Sequence, residues 1–358
     1  MDVLSDELRE LGSTSRRLLE RSADTSFPPA FDAPAVPDRG LWSSLAGLGL
    51  LGLAVPEELG GSGGGATELC VLAEEMGAAL PAVPFTGTAA VAAVLVAAAR
   101  DDVARQVLRD VVTGTTIVVP AWETFPAQVV PGGRAALRVT DGKVQGALTA
   151  VPFGLDADMV LAFACRDEAR VVVLLDTGRD AVRRRATAAF DVVEPVATVD
   201  VAPTAAPLLP ITAVPTARIG VALAAELVGT ARRALDGAVA YAKERSQFGR
   251  PIGSFQAIKH LLADRHVQLD AARMLVHTAA AALDAGRGDA QEAATAAVIA
   301  ACDAADATTG DALQVHGGIG FTWEHPSHVF LKRARARRAL LGSQARQLDG
   351  LAQLILGP

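Results

Sequence analysis

Two segments of the chain, 244–256 and 314–321, carry residue types that suit a phosphate-bearing ligand. The guanidinium of an arginine presents a planar fork of donors that matches phosphate oxygens. Glycines have no side chain, so a ligand can approach their backbone closely. The candidate cofactor-binding residues are Arg245, Gln247, Phe248, Gln256, Gln314, Gly317 and Gly318. The segments predict a binding function, and we predict neither a catalytic residue nor a metal ligand among them.

Hydrophobic periodicity predicts a helical domain in the first third of the chain, residues 1–114. Leucines recur at helical spacing among charged residues near the N-terminus. A proline-rich loop and the glycine cluster 60–65 separate the helices that follow. The predicted helices are 4–22, 66–77, 88–100 and 102–112.

The pattern changes at Thr115 to short, β-branched runs that indicate strands. Asp141 and Gly142 lie between two such runs and are a hairpin signal. The predicted strands are 116–119, 135–140, 144–150, 159–165, 170–175 and 192–201. We therefore predict a small middle β domain over residues 115–205.

Helical periodicity returns after Pro215. Apolar residues recur every three or four positions over 223–238 and 258–276, and 289–315 is rich in alanine. Alanine throughout a helix suits close packing on several neighbours. Residues 206–358 are therefore predicted to form a bundle of long helices, and the expected fold class is α+β, mostly α.

The composition excludes several other functions. A formal net charge of -7 argues against nucleic acid and anionic membranes as partners. The cysteines Cys70, Cys165 and Cys302 fit no metal or disulfide spacing, so a cytoplasmic location is expected. The uncharged stretch 76–99 is broken by two prolines and is too short for the about 20 apolar residues of a membrane span. No secretory signal is visible at the N-terminus.

The two ligand-binding segments and the order of helices, strands and helices resemble the acyl-CoA dehydrogenase family. The resemblance covers nearly the whole chain and is strongest over 49–61 (GLLGLAVPEELGG) and 222–333. It implies that FAD is the cofactor and that acyl-CoA is the substrate. It also implies that the seven candidate residues serve an FAD held mainly by a neighbouring subunit, so they are interface residues.

The resemblance assigns a role to each candidate. Arg245 grips the pyrophosphate, Gln247 adds a polar contact, and Phe248 packs by the adenosine portion. The remaining contacts are implied for Gln256, Gln314, Gly317 and Gly318. We call these seven residues the clamp.

Simpler structural interpretations of the clamp stay open. Arg245 could pair with Glu244 or Asp264 on a helix surface, and the glycine pair could only end a helix. His316 and His325 are more often packed or solvated than catalytic. The retained order of the family motifs favours contact with FAD.

The chain departs from the family at the catalytic base. Aligned from Phe321, the family's catalytic Glu falls on Leu341. The position that some members use instead is Ile219, and Gly220 stands where the family usually has Arg. Arg218 is a cation and cannot accept a proton at neutral pH, and Glu226 is expected to be structural.

The middle domain departs from the family as well. The loop that cradles the flavin ring in other members reads A-W-E-T-F-P over 121–126, and a second flavin-contacting segment is replaced by V-P-F-G over 151–154. We call these two segments the cradle segments. The clamp is therefore kept, whereas the chain's own flavin cradle and base are expected to be lost.

Three hypotheses follow for the function. The first is a subunit of a heteromeric FAD-dependent acyl-CoA dehydrogenase whose partner subunit carries the base, and a heterotetramer is expected. It resembles the short subunits of paired dehydrogenases from actinobacterial sterol side-chain catabolism, with an electron-transferring flavoprotein as acceptor. The second is a homo-oligomeric dehydrogenase with an unrecognised base. The third is a non-catalytic assembly protein that retains only the fold.

Overall fold

A computed structural model describes residues 5–21, 35–126, 130, 136–167, 169–211 and 213–357. The helices are α1 Asp6–Glu20, α2 Arg39–Gly47, α3 Ala66–Ala79, α4 Phe85–Ala97, α5 Asp102–Val112, α6 Thr216–Glu244, α7 Gln256–Asp284, α8 Ala290–His316, α9 Ser327–Leu341 and α10 Gln344–Leu356. The strands are β1 Val118–Pro120, β2 Leu137–Thr140, β3 Lys143–Pro152, β4 Met159–Arg166, β5 Ala169–Asp176, β6 Val182–Thr187, β7 Val196–Thr204, β8 Leu208–Leu209, β9 Ser246–Gln247 and β10 Arg250–Pro251. The predicted fold class, α+β and mostly α, is confirmed.

Polar caps begin several of the N-terminal helices. Ser5, Asp38 and Asp101 accept hydrogen bonds from the first backbone N–H groups of α1, α2 and α5. The first turn of α3 is capped from a distant helix, since the Asp284 carboxylate at the end of α7 accepts from the Ala66 N–H at 2.6 Å. This contact ties the first helices of the chain to the C-terminal ones.

The helix predicted over 88–100 begins and ends about three residues earlier than expected. Pro84 occupies its N-cap position, where a missing N–H has no cost, so the helix starts directly at Phe85. None of the described helices is both long and apolar enough to cross a membrane.

The main sheet is mixed and has the strand order β6-β7-β3-β2-β4-β5-β8, with β1 parallel to β4. The predicted hairpin joins β2 and β3, and both Asp141 and Gly142 have positive φ, as a tight hairpin turn requires. The prediction missed β6, because its run of arginines over 183–185 does not resemble a strand. It also began β7 too early, at 192 rather than Val196, because Asp191 folds its carboxylate onto the Val193 N–H in a turn.

One hydrophobic cluster joins all three parts of the chain. It includes Leu95 from α4, Phe163 from β4, Leu227 from α6 and Ala301 from α8, all fully or almost fully buried. The division at residues 114 and 205 therefore remains our proposal for the domain boundaries, and the core is continuous across both.

The long helix α6 crosses α3 at very short distance. A Cβ atom at Gly229 of α6 would lie 1.8 Å from the Glu74 carbonyl oxygen, and one at Gly77 of α3 would lie 1.9 Å from the Glu226 carbonyl oxygen. Neither position can hold a side chain unless the two helices move apart. The crossing therefore requires a glycine on each helix.

Two buried ion networks flank this crossing. In the first, Glu74 of α3 binds Arg273 of α7 at 2.9 Å and His277 at 3.2 Å. In the second, Glu226 of α6 accepts from Arg333 of α9 at 2.7 Å and from Arg337 at 3.1 Å. Since breaking a buried pair leaves an unpaired charge, both networks hold their helices in place.

The crossing gives a stability prediction with a matched control. Gly229→Ala should lower the free energy of unfolding by about 3 kcal/mol, because α3 and α6 must separate to admit the methyl group. Gly237→Ala, on the same helix with no atom within 4 Å of the new Cβ, should raise it by up to about 1 kcal/mol through helix propensity. Urea unfolding of the purified chain measures both, and equal effects of the two changes would contradict the crossing as described.

Candidate functional site

The first clamp segment is a short hairpin that follows α6. Arg245 caps the helix, its N–H donating to the Tyr241 carbonyl at 2.8 Å, and β9 pairs with β10. The turn residues Phe248 and Gly249 have φ values of 54° and 76°, the left-handed pair of a two-residue hairpin turn. The Phe248 side chain is consequently 91% exposed at the hairpin tip.

The second clamp segment is the turn that ends α8. Gly317 has a φ of 62°, which explains why glycine is needed there. Gly318 has no such need, and a Cβ on it would meet nothing within 4 Å. The space beside its backbone is therefore open to a molecule that approaches from outside the chain.

A stack of three rings holds the two segments side by side. The Tyr241 ring of α6 lies 4.7 Å from the His316 ring of α8, which lies 4.2 Å from the His325 ring. Both histidines are packed, as expected, and His316 Nδ1 bonds the Ala312 carbonyl. Sequence reasoning missed Tyr241, although it is the only tyrosine of the chain and lies one helical turn before Arg245.

Gln256 lies beside the hairpin in the first turn of α7. The preceding Phe255 ring supports the hairpin, because the Arg250 guanidinium stacks on it at 4.1 Å and the Phe248 ring meets it at 6.2 Å. The hairpin, the start of α7 and the end of α8 thus present the clamp residues on connected elements.

The clamp side chains point into solvent. Arg245, Gln247, Gln256 and Gln314 are exposed, and none of them makes a side-chain hydrogen bond or ion pair with the part of the chain that the structure describes. The alternative pairing of Arg245 with Glu244 or Asp264 is not formed there. The site offers a guanidinium fork, three amides and an aromatic ring to an external partner.

Both positions of the family's base hold buried aliphatic residues. Leu341 ends α9 and is 4% exposed, and Ile219 in α6 is 1% exposed. Gly220, next to it, packs near Val298 of α8. Arg218 is drawn toward Asp284, with 3.8 Å between guanidinium and carboxylate. No residue at these positions can accept a proton.

Glu226 is the nearest buried carboxylate along α6, and it is fixed in its charged form. Burial alone would raise its pKa, but Arg337 and Arg333 outweigh that effect and lower the pKa of Glu226 to about 2. A carboxylate held ionised by two arginines is a poor proton acceptor at neutral pH. The structure agrees with the expected structural role of Glu226.

The first cradle segment is filled by its own side chains. Trp122, Phe125 and Phe163 are buried, with ring centroids 4.9 Å apart for the first pair and 5.0 Å for the second. Thr124 is 1% exposed and its hydroxyl donates to the Ala121 carbonyl. The Glu123 carboxylate accepts from the Thr149 hydroxyl of β3 at 2.8 Å. These residues pack and cap the sheet instead of lining an open groove.

The second cradle segment is closed as well. Val151 and Phe153 are almost completely buried. The Arg184 guanidinium donates to the carbonyls of Leu155 at 2.7 Å and Ala157 at 3.2 Å. Within the segment, the Gly154 carbonyl accepts from Arg184 at 3.3 Å and the Phe153 N–H donates to the Pro195 carbonyl at 2.6 Å, so these backbone groups are paired inside the described chain.

The sequence matches the family models of the acyl-CoA dehydrogenase N-terminal domain over residues 5–115 and C-terminal domain over 212–356. It is 35% identical over 344 residues to acyl-CoA dehydrogenase IpdE2 of Mycobacterium tuberculosis, with 94% of each chain covered. It is 36% identical over 330 residues to acyl-CoA dehydrogenase FadE34 of the same organism. The matched region covers 88% of this chain but only 42% of FadE34. The chain therefore belongs to the acyl-CoA dehydrogenase family.

Solved structures give the same result. A variant of the Tcur3481-Tcur3483 steroid ACAD has a TM-score of 0.85 and 30% identity, with 98% of each chain covered. The ChsE4-ChsE5 complex from Mycobacterium tuberculosis has a TM-score of 0.85 and 25% identity over 100% of each chain. FAD is the cofactor of the family. In this chain the polar clamp residues are exposed and suit contact with FAD, whereas the cradle segments are filled by side chains.

The buried carboxylate of Glu226 in α6 leads to a prediction about how the free energy of unfolding depends on pH. The folded-state pKa of Glu226 is below its ordinary value, so its stabilising effect is complete above about pH 4.5 and is lost as the pH falls toward 2. Glu226→Gln should therefore lower the free energy of unfolding by about 3 kcal/mol at pH 7, and by progressively less below pH 5. Urea unfolding at several pH values measures the difference.

The matched control is Glu244→Gln, an exposed carboxylate at the end of the same helix. It should change the free energy of unfolding by less than about 0.5 kcal/mol at every pH, because exposed charges contribute little. A Glu226→Gln effect that is independent of pH would show that the ionisation of Glu226 is not what stabilises the fold at this position.

Proposed function

We propose that this member of the acyl-CoA dehydrogenase family is a base-lacking subunit of a heteromeric, FAD-dependent acyl-CoA dehydrogenase. It would complete the FAD site of a partner subunit that carries the catalytic Glu. One observation carries the proposal. The polar clamp side chains face solvent and have no hydrogen-bond or ion-pair partner in the described chain, while Leu341 and Ile219, at both base positions, are buried and aliphatic.

The reaction is α,β-desaturation of an acyl-CoA thioester. A carboxylate removes the α proton, and bound FAD accepts the β hydrogen as hydride. This chain supplies neither group in our proposal. Arg245 would hold the pyrophosphate through paired charge-assisted hydrogen bonds, the hairpin ring Phe248 would cover the adenosine portion, and Gly318 would leave room for the nucleotide. The chain therefore binds and orients the cofactor of its partner.

The named relatives support a heteromer and a substrate class. The two solved structures described above are each named by two components, and one is named a steroid ACAD. We infer from them a heterotetramer acting on a steroid-derived acyl-CoA thioester, with an electron-transferring flavoprotein as the acceptor. The specific acyl group would be set by pockets of the partner subunit.

The decisive test compares the chain alone with the chain co-purified with a longer family member that has the Glu and the flavin-cradling loop. Alone, it should not bleach added FAD when mixed anaerobically with acyl-CoA thioesters. With the partner, turnover should appear and each heterodimer should contain one FAD. Flavin absorbance per protein and stopped-flow reduction give both measurements.

Two outcomes would favour the alternatives. Robust turnover by the purified chain would establish a self-sufficient homo-oligomer with an unrecognised base. A partner complex whose flavin content is unchanged when this chain is removed would favour a non-catalytic assembly protein. Leu341→Glu in the isolated chain should not restore activity, because the filled cradle segments still exclude the flavin ring.

Arg245→Ala should weaken FAD retention by the assembled enzyme roughly ten- to a hundredfold without changing the stability of this chain. The lost interaction is a charge-assisted hydrogen bond worth about 1.5–3 kcal/mol. Arg245→Lys should rescue only part of it, since a point charge lacks the planar fork. The measurement is the FAD dissociation constant of the complex.

Arg233→Ala is the matched control, because Arg233 is an exposed arginine about three turns earlier on the same helix. It should leave flavin affinity unchanged. If both alanine variants retain FAD equally well, Arg245 is not part of the clamp.

A further inference from the structure

A second arginine, Arg250, lies in the hairpin that follows α6 and is not among the seven clamp residues. Strands β9 and β10 pair Arg250 with Gln247, directly across the two-residue turn. Residues that stand opposite each other in a hairpin project from the same face, and so do residues two apart along one strand. Arg245 has extended backbone and lies two residues before Gln247. Arg250 therefore shares a face of the hairpin with the clamp residues Arg245 and Gln247.

The guanidinium of Arg250 is held in a defined position by an aromatic ring. Its central carbon lies 4.1 Å from the centroid of the Phe255 ring, so the guanidinium stacks on that ring. The backbone of Phe255 is fixed in turn, because its N–H donates to the Ile252 carbonyl at 3.1 Å. Stacking occupies a face of the guanidinium and leaves its edge, which carries the N–H donors, open.

The edge of this guanidinium has no partner in the residues that the structure describes. Arg250 is exposed and makes neither a hydrogen bond nor an ion pair with them, so the stacking on Phe255 is its one side-chain contact of this kind there. Stacking of a cation on a ring uses none of the donors at the edge. A guanidinium that is oriented by a ring and unpaired at its edge suits an anion that comes from outside the chain.

Charge and spacing favour an anion with two phosphates. Residues 243–259 contain one carboxylate, that of Glu244, and four cationic side chains, which are Lys243, Arg245, Arg250 and Lys259. One guanidinium fork matches the oxygens of one phosphate, so the two phosphates of a pyrophosphate can engage two arginines. The two arginines are about 7 Å apart along the strand and about 5 Å apart across it, which lets both side chains reach one ligand.

We propose that Arg250 is the second arginine of the FAD site, and that it binds one phosphate of the pyrophosphate while Arg245 binds the other. Phe255 is its positioning residue, since the ring holds the guanidinium with its edge free. The inference rests on the proposed function, in which this chain completes the FAD site of its partner, and it adds a residue to the clamp.

The test uses the full chain without FAD and two probes, ADP and AMP, which differ by one phosphate. ADP should bind about tenfold more tightly, because its second phosphate gains a charge-assisted contact. Arg250→Gln should reduce this preference to about twofold or less, and Arg245→Gln should do the same. NMR titration at constant ionic strength measures the affinities.

Two further variants separate a placed contact from general attraction between opposite charges. Lys259→Gln removes an exposed cation in the first turn of α7, off the hairpin, and should keep the ADP preference within about twofold of the wild-type value. Phe255→Leu keeps the Arg250 cation but removes the ring, and should lower the preference only in part. Thermal unfolding verifies that each variant is folded.

Several results would overturn the proposal. They are equal affinities for ADP and AMP, no binding of either probe, a preference that survives in Arg250→Gln, and an equally large loss in Lys259→Gln. Weaker association of Arg250→Gln with the partner subunit at an unchanged ADP preference would show that the guanidinium pairs with a protein carboxylate instead. The probe titrations need no partner, so they are independent of whether an FAD-containing heteromer forms, which the co-purification tests separately.

Discussion

The crossing of α3 and α6 is the constraint on which the rest of the structure depends. Gly77 and Gly229 allow each helix to contact the other's backbone, and the carbonyls they contact belong to Glu226 and Glu74. The same close approach buries both glutamate side chains. A buried carboxylate needs partners, so the crossing dictates where the cationic residues of the neighbouring helices must lie. Arg273 of α7 meets that requirement for Glu74, and Arg333 of α9 meets it for Glu226.

This arrangement separates stability from cofactor binding. The charged side chains that hold α6, α7 and α9 together are buried and mutually paired, whereas Arg245 and Gln314 make no side-chain contact of this kind within the described chain. The stacked rings of Tyr241 and His316 link the two clamp segments through the helices that carry them. The clamp can therefore be changed without loosening the fold, and its residues are free to meet another molecule.

The sequence allowed the element order, the fold class and the Asp141-Gly142 hairpin to be predicted, because these follow from local periodicity and turn chemistry. It did not allow β6 to be predicted, since this edge strand is stabilised by pairing with β7 rather than by its own arginines. The clamp residues could be identified only by family resemblance.

The two halves of the family's flavin site, the clamp and the cradle, differ in this chain for a physical reason. Cradle residues lie in the middle domain, so neighbouring side chains can fill the space that a change there leaves. Trp122, Phe125 and Phe163 fill it by packing on one another. Clamp residues lie on the surface. Within the described chain, no side-chain contact depends on the Arg245 guanidinium or on the missing side chain of Gly318. In the proposed heteromer, the exposed guanidinium of Arg245 and the bare backbone of Gly318 would serve a ligand held by another subunit. The filled cradle and the open clamp would then be two consequences of one arrangement, in which this chain contributes a surface and its partner contributes the chemistry.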